Sequence, residues 1–244
     1  PATTVYYEDN FGGSGKEGED GLAITYTGKW YTVDDNGKQT KLDTTSGNTN
    51  TDYQDDGTVG NGNQYGYDSS YDGDGKFSNG SSAIVQGTYN EKTESFDATA
   101  KFTFTGTGFD IISRTDSTCG TIDVVVTDSK GNLVVQDNKG NFKSSNKKPS
   151  GDDCTIYVVN KGTNDLYQIP VISCKGLDHG TYNVLIRVGG PAPSMKLEST
   201  FYLDAIRIYE PMKITNGEDP KNNGATDSEG SNDESSGDTQ VPGD

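Results

Sequence analysis

Tyr65, Tyr67 and Tyr71 fall within NQYGYDSSYDGDG, where no aliphatic neighbour is present to cover their rings. Uncovered tyrosine faces beside Asn, Asp and Gln can hold a sugar: the ring stacks on the apolar C–H face while the polar groups pair with the hydroxyls. Trp30 and Tyr31, in TYTGKWYTV, are a second aromatic pair. Two readings compete for Trp30, a stacking platform or the anchor of an N-terminal strand, because large aromatics in alternating segments are mostly buried. Arg114 and Asp116, in SRTDSTC at the end of a strong strand, suit hydroxyl recognition and equally a surface ion pair. Asp68, Asp72 and Asp74 put hard oxygen donors on a glycine-rich stretch and form a candidate calcium site without EF-hand spacing. Their alternative is a solvated acidic loop.

Other chemistries find less to work with. The one histidine, His179, sits in GLDHGTY, where Asp-His-Gly reads as a tight turn, and no G-x-S-x-G elbow accompanies it. A Ser-His-Asp hydrolase is therefore not expected. Glycoside hydrolysis needs only two carboxylates, which 37 acidic residues supply by number alone. The expectation of a non-catalytic chain rests on the missing histidine constellation and the missing phosphate-binding loop. Cys119, Cys154 and Cys174 are odd in number and form no C-x-x-C pair, so they read as small core residues, with one disulfide of unassigned pairing left open. A net charge of −17 repels phosphate backbones and anionic lipid, so neither nucleic acid nor a membrane surface is an expected partner.

The elements that must position these residues are strands. Apolar residues make up 29% of the chain and are concentrated in short alternating runs, with 32 glycines supplying turn chemistry between them. KFTFTGTGFDIISR is the strongest run, and its Gly106 and Gly108 mark a kink or bulge between two strands. GTIDVVVTD leads through Asp128–Asn132 into NLVVQD in the pattern of a hairpin. CTIYVVN, LYQIPVISC, GTYNVLIRV and STFYLDAIRIYEP continue the series, and VYYEDN, LAITYTG and KWYTVD precede it. The fold class is all-β, a β-sandwich, with one sandwich or two left open. Tyr26, Tyr157, Tyr182, Tyr202 and Tyr209 read as half-buried packing. Residues 34–80 are nearly free of aliphatic side chains and read as a long surface loop rather than core, the first candidate for a binding region. From Met212 the chain holds one isoleucine, one valine and no aromatic residue, too little to offset its ordering entropy. The expected organisation is a sandwich over 1–211 and a disordered acidic linker over 212–244, a monomer tethered to further domains.

FTFTGTGFDIISRTDSTCGTIDVVV, LYQIPVISCKGLDHGTYNVLIRV and FYLDAIRIYEP together resemble the jelly-roll, galactose-binding-like modules of large extracellular proteins from gut Firmicutes. The opening YYEDN and LAITYTGKW resemble the first strands of those modules, so the resemblance spans most of 5–211. It implies adhesion or glycan capture at the cell surface rather than catalysis, with no cofactor required. The acidic linker and the tyrosine-rich loop are similar to those of starch-adherence proteins of the amylosome. That similarity implies a polysaccharide or maltooligosaccharide ligand, α-1,4-glucan by preference. The rival expectation is a structural or protein-binding adhesin module in a cell-surface array.

Overall fold

The computed structural model describes residues 4–8, 24–42, 75–160, 162, 164–190 and 198–211. Within them the chain runs through sixteen strands and no α-helix. β1 (Thr4–Glu8), β2 (Thr25–Thr27), β3 (Tyr31–Asp34) and β4 (Gln39–Lys41) precede a 3-10 turn at Ser78–Gly80 and β5 (Ser81–Asn90). β6 (Ser95–Phe96), β7 (Thr99–Gly106), β8 (Gly108–Thr115), β9 (Thr121–Asp128), β10 (Val134–Gln136) and β11 (Phe142–Ser144) follow. β12 (Ile156–Val159), β13 (Leu166–Cys174), β14 (Gly180–Val188), β15 (Glu198–Leu203) and β16 (Ala205–Tyr209) complete the series.

The strands pair antiparallel into three larger sheets and a small ribbon. One sheet has the order β1-β16-β8-β13, a second β12-β9-β14-β7-β2, and a third β15-β5-β3-β4 with β6 joined to β5; β10 and β11 make the ribbon. Period-two alternation decides what each sheet buries. Phe102 and Phe104 of β7, Val124 and Val126 of β9, and Val184 and Ile186 of β14 point into one cluster. Phe109 and Ile111 of β8, Ile206 and Ile208 of β16, and Phe201 and Leu203 of β15 meet them there. Burial of each such side chain stabilises by about 1.5–3 kcal/mol. A single cluster drawn from all three sheets makes this one sandwich over the described residues.

The glycine punctuation in the strongest run is a corner. β7 and β8 belong to different sheets, and only Thr107 separates them. A Cβ at Gly106 would collide with the Tyr209 carbonyl oxygen, and one at Gly108 with that of Cys174, so the corner closes only without side chains there. Phe104 and Phe109, on either side of the corner, then meet edge to face with centroids 5.4 Å apart, a geometry worth about 0.5–1.5 kcal/mol beyond burial. Pro170 is tolerated in β13 because β13 is an edge strand of its sheet.

A second layer of order is polar. Tyr6, Arg207, Asp110 and Ser173 stand opposite one another across β1, β16, β8 and β13. Asp110, with no exposure, accepts hydrogen bonds from the Ser173 and Tyr209 hydroxyls and from the Arg207 guanidinium at 3.1 Å. The Arg207 guanidinium also lies 6.0 Å from the centroid of the Tyr6 ring.

Several expectations are corrected. Asp128 does organise its turn, accepting the amides of Lys130 and Asn132 at 2.9 Å each. The hairpin stops at one bridge, Thr127 to Leu133, and β10 pairs with β11 instead. β12 takes the free edge of β9, and Thr155 Oγ1 donates to the Val134 carbonyl at 2.7 Å, closing that edge to β10. Residues 34–80 are not all surface loop: Gln39–Lys41 is a strand and Phe77 is buried. Of the tyrosines read as half-buried, Tyr157 is exposed, whereas Tyr182 and Tyr202 are buried. All three cysteines are free. Burial pushes the Cys119 thiol up to about 12 and that of Cys154 up to about 11. Residues 212–244, expected as the acidic linker, lie outside the described residues.

Candidate functional site

The outward face of the β15-β5-β3-β4 sheet carries an open depression of about 500 Å³. Its construction follows from register. Ala83 and Val85 of β5 point into the core, so Ile84 and Gln86 point out. Tyr31 of β3 stands opposite Ile84, Ile84 opposite Tyr202 of β15, and Lys41 of β4 opposite Tyr31. One row therefore reads Lys41, Tyr31, Ile84, Tyr202. In the adjoining row Gln86 stands opposite Thr200, and Lys29 lies two residues before Tyr31 along its own segment. Gln39 and Thr118 complete the rim. Thr118 is brought in by the turn between β8 and β9, where its carbonyl accepts the Thr200 amide at 3.1 Å.

Tyr31 is the open ring of this face, 44% exposed. Its strand is paired on both sides, so the ring stands on a fixed backbone rather than on a loop. Around it lie the amides of Gln39 and Gln86, the hydroxyls of Thr118 and Thr200, and the ammonium of Lys29. These groups donate to and accept from hydroxyls. Among the described residues the lining includes no carboxylate, imidazole or thiol, and the groups that are there offer stacking and hydrogen bonding.

A brace stands behind the depression. Asp116 Oδ1 accepts from the Thr118 amide at 2.8 Å, the Thr118 hydroxyl at 2.5 Å and the Cys119 amide at 3.2 Å. Its Oδ2 accepts from the Tyr202 hydroxyl at 3.0 Å and lies 3.6 Å from Arg114 Nε. Burial alone would push the Asp116 carboxyl up; the hydrogen bonds from Thr118 and Tyr202 and the Arg114 charge outweigh it and hold the group below its ordinary range. Asp116 thus fixes Thr118 and Tyr202, both of which line the groove. Arg114 is sandwiched between the rings of Tyr167 and Tyr202, 4.7 and 5.2 Å from their centroids, and its outer nitrogen pairs with Asp165 at 3.1 Å. Tyr167 reaches this stack through a bulge in β13, where Gln168 has φ of 54°. From there Tyr167 also packs edge-on against Phe77 at 5.0 Å.

The sequence candidates divide accordingly. Tyr31 is on the open face. Trp30 is corrected to a core anchor: it is buried against Tyr26 at 4.7 Å and Phe201 at 6.2 Å, and its indole N–H donates to the Thr27 carbonyl at 3.0 Å. Arg114 and Asp116 are corrected from ligand contacts on the rim to a brace behind it, because the Asp116 oxygens are taken by Thr118, Cys119 and Tyr202, while the Arg114 guanidinium lies against the Tyr167 and Tyr202 rings and pairs with Asp165. Tyr65, Tyr67 and Tyr71, and Asp68, Asp72 and Asp74 of the calcium candidate, lie outside the described residues. Among the described residues no group of three or more His, Cys, Asp or Glu side chains could hold a metal ion. Lys29, Gln39, Gln86, Thr118 and Thr200 carried no signal in the sequence, since each is an ordinary polar residue brought to the face by pairing between distant strands. Comparison with known proteins gives no matching family, no matching curated protein and no matching solved structure.

Proposed function

We propose that this chain is a non-catalytic module that holds a glycan on the outward face of the β15-β5-β3-β4 sheet, with one sugar ring stacked on Tyr31. The observation that carries the reading is an exposed aromatic ring on a fixed strand, set in a groove lined by amides, hydroxyls and an ammonium. Binding of a few sugar units is weak, because a shallow open groove recovers little of the cost of association. The reading includes a location outside the cell, at its surface, in a larger assembly of domains. α-1,4-Glucan, which the likeness of the acidic linker and the tyrosine-rich loop to those of starch-adherence proteins implies, is the neutral polymer to try first. Electrophoresis of the protein through gels containing amylopectin, mannan or xylan tests it: retardation by at least one polymer, weakened in Tyr31→Ala, is expected. Free migration through all of them rejects glycan capture.

A protein-binding role is the second reading, and one observation favours it. Tyr157 and Val159, 42% and 59% exposed, lie on the same side of β12, an edge strand of its sheet. Loss of a partner on Tyr157→Ser/Val159→Ser, with glycan gels unaffected, distinguishes the two.

A further inference from the structure

The groove differs from the rest of the molecule in charge. The chain has 37 acidic against 20 basic residues, yet among the described residues the groove lining includes Lys29 and no carboxylate. Lys41 stands directly opposite Tyr31 in the β3–β4 pairing, and residues opposed in antiparallel strands put their side chains on the same face. The tyrosine therefore has one lysine two residues before it along the chain and another across from it in the paired strand, the latter with a backbone separation of about 5 Å. Neither lysine forms an ion pair among the described residues. Among the described residues, the carboxylates of the adjoining turns accept hydrogen bonds of their own. Asp34 Oδ1 accepts the amides of Asn36 and Lys38, Asp35 Oδ1 accepts that of Phe77, and Asp116 is held by Thr118, Cys119 and Tyr202.

We infer that the groove prefers a sugar carrying an anionic group, a uronate or a sulfate ester, over a neutral sugar of the same shape; this rests on the stacking reading proposed above. A hydrogen bond from an ammonium to a hydroxyl has one charged partner, whereas a carboxylate or sulfate supplies the opposite charge as well and adds a direct Coulomb attraction. The net charge of −17 does not cancel this. At physiological salt the screening length is about 8 Å, so two lysines beside the ring act on the ligand more strongly than remote carboxylates do.

The test uses polymers paired by shape, in affinity gels with the whole chain: polygalacturonate against its methyl ester, and dextran sulfate against dextran, with amylopectin alongside. Retardation roughly three- to fivefold stronger by the charged member of at least one pair is expected, and the pair that responds tells uronate from sulfate. In Lys29→Gln/Lys41→Gln the charged-to-neutral ratio falls toward one; in Lys29→Arg/Lys41→Arg it persists. Circular dichroism checks that each variant is folded. Equal retardation by both members of each pair, or a ratio unchanged in the glutamine variant, overturns the preference. The stacking reading then still stands if Tyr31→Ala weakens retardation by the neutral polymers. No retardation by any polymer overturns both.

Discussion

In the β1-β16-β8-β13 sheet, Tyr6, Arg207, Asp110 and Ser173 stand in one row across four strands; in the β15-β5-β3-β4 sheet, Lys41, Tyr31, Ile84 and Tyr202 do the same. The first row is closed. Tyr6 and Asp110 have no exposure, and the Asp110 charge meets Arg207, Ser173 and Tyr209 inside the protein. The second is closed at one end and open at the other: Tyr202 is buried and tied to Asp116, while Tyr31 and Lys41 face outward. Register delivers both rows in the same way, so register alone does not make a site. A polar row becomes structural when its partners lie within it, and becomes a recognition surface when they are left for a ligand.

The comparison breaks most visibly at the closed row. Arg207→Ala strands the buried Asp110 carboxylate and is expected to cost about 3–5 kcal/mol in urea unfolding. A loss under about 1 kcal/mol would remove the distinction between the rows. Trp30 and Tyr31 give the same contrast between neighbours in sequence. Trp30→Ala empties a core position and costs up to about 3–5 kcal/mol. Tyr31→Ala changes stability by less than about 0.5 kcal/mol and weakens glycan binding about tenfold, as for a stacked hot-spot ring. Equal stability losses at the two positions would place Tyr31 in the fold and not in the groove.

The smallest effect concerns pH. The Asp116 carboxyl is held below its unfolded value by Thr118, Tyr202 and Arg114. Its contribution to stability is therefore complete above the unfolded value of about 3.9 and is lost as pH falls through the folded one. The gap in Tm between the wild type and Asp116→Asn should narrow as pH is lowered through that window. A gap that stays constant or widens on acidification contradicts the brace.

The sequence made the strands legible because burial on one face forces alternation, as in Phe102 and Phe104, and the Gly106–Gly108 corner announced itself because crowding there admits no side chain. The pairing of β10 was not legible. Asp128 forms the same turn whether or not the strand beyond it continues as a hairpin, and the decision lies with β12, which takes the edge of β9. Which of Trp30 and Tyr31 faces the core was equally hidden, since both suit a strand and only the partner strands fix the parity. The groove itself was the least legible part. Lys29, Gln86, Thr118 and Thr200 come from four places in the chain, and no local spacing relates them. Arg114 and Asp116 drew notice for their position at a strand end, which is right, but their direction depends on Tyr167, Tyr202 and the bulge at Gln168.

The most direct measurement is an NMR titration of uniformly labelled protein, with maltooligosaccharide and with oligogalacturonate. The Tyr31 ring resonances should shift first and saturably, accompanied by Ile84 and Thr200, while Tyr6 and Trp30 stay still. Shifts confined to other tyrosines, or none at all with either sugar, would contradict a glycan platform on this face.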